Sequence, residues 1–133
     1  MPRHTLVRVV RFEASHHYRL PHLTESENRD RFGPYAQSHR HEWTVHIWVE
    51  GIMDPESGML CDLASLDQAI DEEILQKFSG KDFSDGDSYF VDHPATTERL
   101  AQFIWQRLSA RLTERIAKVR VTEDQDLAAE YEA

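Results

Sequence analysis

Residues 39–50 read HRHEWTVHIWVE, and this alternating stretch decides the fold. In a strand, side chains two residues apart point to the same face. One face of this predicted strand therefore begins with two histidines and continues with apolar residues, in the order His39, His41, Trp43, Val45, Ile47 and Val49. Two imidazoles at the polar end of an apolar face need a partner for their nitrogens, and a metal ion can use both at once.

A second alternating run, residues 6–17, supplies a third histidine. From Val10 onward its even-numbered positions are apolar and end in His16, whereas its odd-numbered positions become polar and end in His17. This alternation selects His16 as the residue beside the apolar face. If the two strands pair antiparallel, His16 approaches His39 and His41, and three imidazoles with an open fourth position form the arrangement of a catalytic zinc site. Without a metal, the same residues would form a polar cluster.

The composition describes one acidic globular domain, and we assign residues 1–133 to it. Fifteen Lys and Arg residues against 24 Asp and Glu residues give a net charge of −9. This charge argues against nucleic acid or an anionic membrane as the partner, because both need a basic surface. The single cysteine, Cys61, excludes an intrachain disulfide and fits a reducing, cytoplasmic setting. We expect no membrane span, because every apolar run is too short.

The order of the predicted elements is β-β-α-α-β-β. Strands are expected over residues 4–16, 39–51, 119–123 and 128–131, helices over 62–78 and 96–116, and loops over 18–38 and 79–94. This order predicts an α+β domain with two helices on one face of an antiparallel sheet. Such a sheet has two open edges, and pairing of these edges between subunits predicts a homo-oligomer.

Five segments, in this order along the chain, resemble the 6-pyruvoyl-tetrahydropterin synthase and 6-carboxy-tetrahydropterin synthase family. They are FEASH at 12–16, HRH at 39–41, GMLCDL at 58–63, TTERLA at 96–101 and VRVTE at 119–123. The resemblance implies the tunnelling fold, or T-fold, in which trimers form barrels and two trimers stack into a homohexamer. It also implies that the substrate pockets lie between subunits.

The same resemblance implies the site residues. Zinc would be bound by His16, His39 and His41, and Glu123 would hold the pterin ring by accepting two adjacent N–H groups. Glu98 is a second candidate for the pterin pocket, although a carboxylate in the first turn of a helix is also favourable through the helix dipole alone. Glu123 could equally be a strand residue in an ion pair. The usual substrate of the family is 7,8-dihydroneopterin triphosphate, which loses its triphosphate.

The chain departs from the family at its catalytic positions. Tyr35 stands four residues before His39, where the family has a catalytic cysteine, and residues 79–80, Ser-Gly, stand where it has Asp-His. We therefore expect a pterin-binding homologue that does not perform the standard synthase reaction. The alternative is an active lyase on dihydroneopterin triphosphate or a related pterin, in which Asp92 and His93 supply a relocated acid–base pair.

Overall fold

A computed structural model describes residues 2–133 of the chain. The strands are β1 (His4–His16), β2 (His39–Gly51), β3 (Arg115–Glu123) and β4 (Leu127–Glu132). They form one antiparallel sheet in the order β1-β2-β3-β4. The helices are α1 (Glu25–Phe32), α2 (Leu63–Ile70), α3 (Gln76–Phe78), α4 (Tyr89–Asp92) and α5 (Thr97–Arg111). The predicted α+β class with an antiparallel sheet is confirmed.

The register of β1 against β2 fixes the position of the three histidines. His16 lies opposite His39, and Ala14 lies opposite His41. Because every second side chain shares a face, all three imidazoles lie on one face at one end of the sheet. The same face continues across β2 and β3, where Trp43 pairs with Glu123. Antiparallel pairing thus brings a carboxylate next to the histidines.

The core lies between the face of the sheet that carries the histidines and two helical segments, residues 63–78 and helix α5. Its sheet side is built from the alternating apolar residues of β2 and β3, which are Trp43, Val45, Ile47, Val49, Ile116, Val119 and Val121. Its helix side is built from α2, α3 and α5, and includes Leu66, Ile70, Phe78, Leu100, Ile104 and Leu108. The opposite face of the sheet has no helix packed on it among the described elements. The prediction of helices on one face is confirmed.

Helices α2 and α3 are joined by a π-helical segment into one long helix over residues 63–78. This π-helical middle keeps the buried side of the long helix on the sheet. Its large buried residues recur every fourth position, at Leu66, Ile70, Ile74 and Phe78, and the small Ala69 is buried beside them. In a regular α-helix a spacing of four rotates each successive residue by about 40° around the helix, so Phe78 would lie about 120° away from Leu66. The π-helical segment Asp71–Leu75 between α2 and α3 has more residues per turn, which cancels this drift.

Several boundaries differ from the sequence prediction: helix α4 (Tyr89–Asp92) lies within the predicted loop 79–94, and β3 begins at Arg115 instead of residue 119. The predicted loop 18–38 contains helix α1, which is held by a capping box in which Thr24 and Glu27 bond each other's backbone N–H groups. Because α1 has almost no apolar face, hydrophobic periodicity does not reveal it. The second long helix ends at Arg111, and Ile116 belongs to β3. Among residues 2–133, no helix has the length and hydrophobicity needed to cross a bilayer.

Candidate metal centre

The three histidines that strand alternation selected come together in the structure. The ring centroid of His16 lies 4.4 Å from that of His39 and 5.2 Å from that of His41. One ring nitrogen from each histidine lies within 4.8 Å of the other two. The geometry therefore allows one ion to contact all three side chains.

The contacts of the outer nitrogens fix which nitrogens point inward. The Nδ1 of His16 donates to the carbonyl of Ala95, and the Nδ1 of His39 donates to the carbonyl of Gln37, each at 2.8 Å. The Nδ1 of His41 donates to the Asp124 carboxylate, also at 2.8 Å. Carbonyl and carboxylate oxygens accept hydrogen bonds, so each Nδ1 carries a proton, and in the neutral imidazole each Nε2 then carries a lone pair. This is the tautomer that a metal-binding histidine needs.

The inward nitrogens are acceptors without donors. His16 is completely buried, and burial lowers its pKa to about 4, so its ring is neutral at pH 7. Within residues 2–133, the buried Nε2 atoms of His16 and His41 have no hydrogen-bond partner. Buried polar atoms nearly always have a hydrogen-bond partner. A cation between the three Nε2 atoms would satisfy them, so the residues present fit a bound metal.

Glu123 lies directly beside the histidines. Its side chain is almost fully buried, with Oε1 3.5 Å from the Nε2 of His16 and Oε2 3.7 Å from the Nε2 of His41. The hydroxyl of Thr97, the first residue of α5, donates to Oε1 at 2.5 Å. The start of α5 therefore orients this carboxylate toward the metal position. The sequence pattern gave no signal for the contribution of Thr97.

Glu98 lies at the rim of the same region. Its side chain is exposed in the first turn of α5. The ring of Tyr18 lies 5.3 Å from that of His16 and 6.2 Å from that of His39. Burial raises the pKa of Tyr18 to about 12, and the charges of Glu123 and Glu98 add to that rise. The charges of Glu123 and Glu98 thus both act on Tyr18, whose ring lies next to the histidines.

Tyr35 and residues 79–80, which the sequence analysis singled out, have structural contacts of their own. Tyr35 is 56% exposed, and its ring lies 5.7 Å from that of His39. The N–H of Gly80 donates to the carbonyl of Glu13 at 2.7 Å, and its φ of +74° is one that glycine adopts most readily. The N–H of Ser79 donates to Leu75 at the end of the first long helix. Residues 79–80 therefore connect helix α3 to strand β1 through their backbone.

The Asp92–His93 dipeptide is not brought to the histidines by any contact in residues 2–133. The ring of His93 packs against that of Tyr89, with 4.4 Å between the ring centroids. Asp92 is exposed at the end of α4. Proton transfer requires hydrogen-bond reach of the reacting group. The relocated pair therefore remains a sequence-based prediction.

The structure instead shows a histidine–carboxylate pair that the sequence reasoning missed. The Nδ1 of His17 contacts the Asp82 carboxylate at 2.8 Å, and the hydroxyl of Ser38 donates to the same oxygen at 2.6 Å. His17 lies on the opposite side of the strand end from His16, and it lines a cavity of about 330 Å³ together with Tyr18. No local pattern could have found this pair, because its partners lie 65 residues apart.

Comparisons with known proteins agree with this architecture. Residues 5–133 match the family model described as 6-pyruvoyl tetrahydropterin synthase. The chain is 34% identical to the Drosophila melanogaster 6-pyruvoyl tetrahydrobiopterin synthase over 122 residues, which is 89% of this chain and 73% of that protein. It is 35% identical to the Homo sapiens protein of the same name over 103 residues, covering 76% of this chain and 71% of that one.

A solved structure gives the same result in three dimensions. The structure of Caenorhabditis elegans 6-pyruvoyl tetrahydropterin synthase superposes with a TM-score of 0.88, at 26% identity, over 100% of this chain and 97% of that one. The T-fold predicted from the sequence is thereby confirmed. The chain belongs to the 6-pyruvoyl tetrahydropterin synthase family.

Proposed function

We propose that this protein binds a pterin next to a zinc ion held by His16, His39 and His41. The observation that carries the proposal is the convergence of three Nε2 lone pairs whose Nδ1 atoms are all held by acceptors. Imidazole is a preferred ligand of zinc, and three imidazoles leave one position for a further ligand. When bound, zinc would act as a Lewis acid toward the hydroxyl groups of a pterin side chain.

Recognition of the pterin ring would come from the carboxylates. Glu123 is buried and oriented by Thr97, so a flat ligand with two adjacent N–H groups can form a charge-assisted pair with it. Glu98 lies at the exposed rim, where a second polar contact to the ligand is possible. The ring of Tyr18 lies next to His16 and His39, where it would pack against the bound ligand.

We further propose that binding is not followed by the standard synthase reaction. On the resemblance described above, Tyr35 stands where the family has a cysteine, and the Ser-Gly pair at 79–80 stands where it has Asp-His and offers no imidazole. The backbone contacts of Gly80 show a connecting role for this segment. The protein would then hold a pterin without releasing triphosphate from it.

The second candidate is an active carbon–oxygen lyase on dihydroneopterin triphosphate or a related pterin. The observation that favours it is the contact between His17 and Asp82 beside Tyr18, because a carboxylate-oriented histidine is a common feature of acid–base sites. A His17→Asn variant with unchanged turnover would remove His17 from this candidate, and an unchanged His93→Ala variant would remove the relocated pair.

We also propose that the protein works as a homohexamer in the cytoplasm, without a nucleic-acid or membrane partner. Support comes from the family, from the two open edges of the sheet and from the net charge of −9. Sites between subunits would then use residues of more than one chain.

One incubation tests the main proposal against the second candidate. Zinc-loaded protein is mixed with 7,8-dihydroneopterin triphosphate, and free triphosphate, pterin products and bound ligand are measured. We expect the substrate to be bound and recovered intact. Release of triphosphate at a rate that depends on the protein would favour the lyase, and absence of both binding and release would contradict both functions.

A further inference from the structure

The Glu123 carboxylate lies beside the inward nitrogens of His16 and His41, at about the spacing of neighbouring ligands of one metal ion. Zinc binds histidine nitrogen at about 2.0–2.1 Å and carboxylate oxygen at about 2.0–2.2 Å, so neighbouring ligand atoms in a tetrahedral site are roughly 3.3 Å apart. Oε1 of Glu123 is 3.5 Å from the Nε2 of His16, and Oε2 is 3.7 Å from the Nε2 of His41. Both separations are close to one edge of that tetrahedron.

The charges and lone pairs around Glu123 favour a cation in the same place. In the neutral imidazoles of His16 and His41 the inward nitrogens carry lone pairs, because each Nδ1 donates its proton to an oxygen. The carboxylate is buried against these lone pairs, and Thr97 is the one side-chain donor to it in residues 2–133. Thr97 satisfies Oε1 only. An ion bound by the histidines would balance the charge of the carboxylate and would contact the unpartnered Nε2 atoms of His16 and His41.

We propose that Glu123 is the fourth ligand of the metal in the pterin-free protein, and that an incoming ligand must displace it. This inference rests on the three-histidine metal site proposed above. The same carboxylate that would hold the pterin ring is therefore bound to the metal until the ligand arrives. The metal site is closed by the protein itself, which protects the ion while no ligand is present.

The test measures zinc affinity by competition with a chromophoric chelator. Glu123→Gln keeps the size of the side chain but removes its charge, and we expect it to weaken zinc binding at least about tenfold, by analogy with lost outer-shell contacts. Glu132→Gln removes a carboxylate from the exposed end of β4 and is the matched control, with unchanged affinity. Co²⁺-loaded protein should show the intense visible absorption of a four-coordinate ion, and this spectrum should change in Glu123→Gln.

Two further measurements separate the possible failures. His39→Ala tests the underlying site, because loss of a histidine ligand must weaken zinc binding whether or not Glu123 is a ligand. If wild-type protein binds no zinc, the metal site and this inference are both wrong. If His39→Ala weakens binding but Glu123→Gln leaves affinity and spectrum unchanged, only the role of Glu123 is wrong.

A crystal structure of the zinc-loaded, pterin-free wild-type protein decides the question without any variant. We expect an oxygen of Glu123 at about 2.0–2.2 Å from the ion. A water molecule in the fourth position, with Glu123 turned away, would overturn the inference. This measurement also keeps the inference testable if Glu123→Gln does not fold.

Discussion

At the scale of single residues, three hydrogen-bond acceptors determine the chemistry of the histidine cluster. Two are backbone carbonyls, which no side-chain substitution removes directly. The third is the carboxylate of Asp124, which also accepts the N–H of Glu42. A carboxylate behind a metal-binding histidine fixes the ring and makes it a stronger ligand. Asp124 is therefore the side chain outside the cluster through which the metal site can be altered most selectively.

Replacing Asp124 with asparagine should weaken zinc binding about tenfold or more. Asparagine tolerates the positive φ of 50° at this position, so the turn keeps its shape while the negative charge behind His41 is lost. Asp126→Asn removes a carboxylate from the same β3–β4 turn and should leave zinc affinity unchanged. Equal affinities for the two variants, measured by chelator competition, would show that the Asp124 charge does not act on the metal.

At the scale of elements, the first turn of α5 serves both stability and the site. Thr96 is its N-cap and accepts the N–H of Arg99 at 3.1 Å, whereas the neighbouring Thr97 donates to Glu123. The two hydroxyls are adjacent in sequence but have different partners. This separation allows the two functions to be tested one at a time.

Thr96→Ala should lower the free energy of unfolding by about 1 kcal/mol, because a helix N–H loses its cap. Zinc affinity should stay unchanged. Thr97→Val, which keeps the side-chain shape, should leave the helix cap intact but alter zinc or pterin affinity through Glu123. Thermal unfolding and ligand titration of both variants measure the contrast. Identical behaviour of the two variants would contradict the division of roles.

At the scale of the whole molecule, the sheet has two edge strands and one face without helices, and within residues 2–133 only the Glu13–Ser15 end of the β1 edge is paired, with residues 80–82. The edges are β1, with 13 residues, and β4, with six. An edge as long as β1 offers a row of unpaired backbone groups to another chain. Val7, on the helix-free side of β1, is 42% exposed. These features agree with assembly through the sheets.

Light scattering after size exclusion should give a mass of about six times 15.6 kDa. Val7→Asp places a charge on the long edge strand and should shift the population to smaller species. Val91→Asp is the matched control, since Val91 is a similarly exposed valine that lies in α4 and not in the sheet. A wild-type mass of one chain at micromolar concentration would contradict the hexamer.

The sequence by itself determined the strands, the faces they present and the positions of the three histidines. Side-chain alternation is a local property, and a register set by burial of one face leaves His16 and His41 no other side on which to lie. Periodicity of apolar residues did not reveal helix α1, because a capping box and not an apolar stripe stabilises this helix.

Only the tertiary structure decided how the site is completed. The cluster is contacted by residues that are far from their partners in the chain, namely Ala95, Asp124 and Thr97. The Asp82 carboxylate is equally far in sequence from His17, which it contacts. Such contacts depend on how α5 and the β3–β4 turn pack against the end of the sheet, and no periodicity along the chain encodes that packing. The three-histidine pattern therefore located the site, while burial and long-range hydrogen bonds fixed the tautomers and the carboxylate that give it its chemistry.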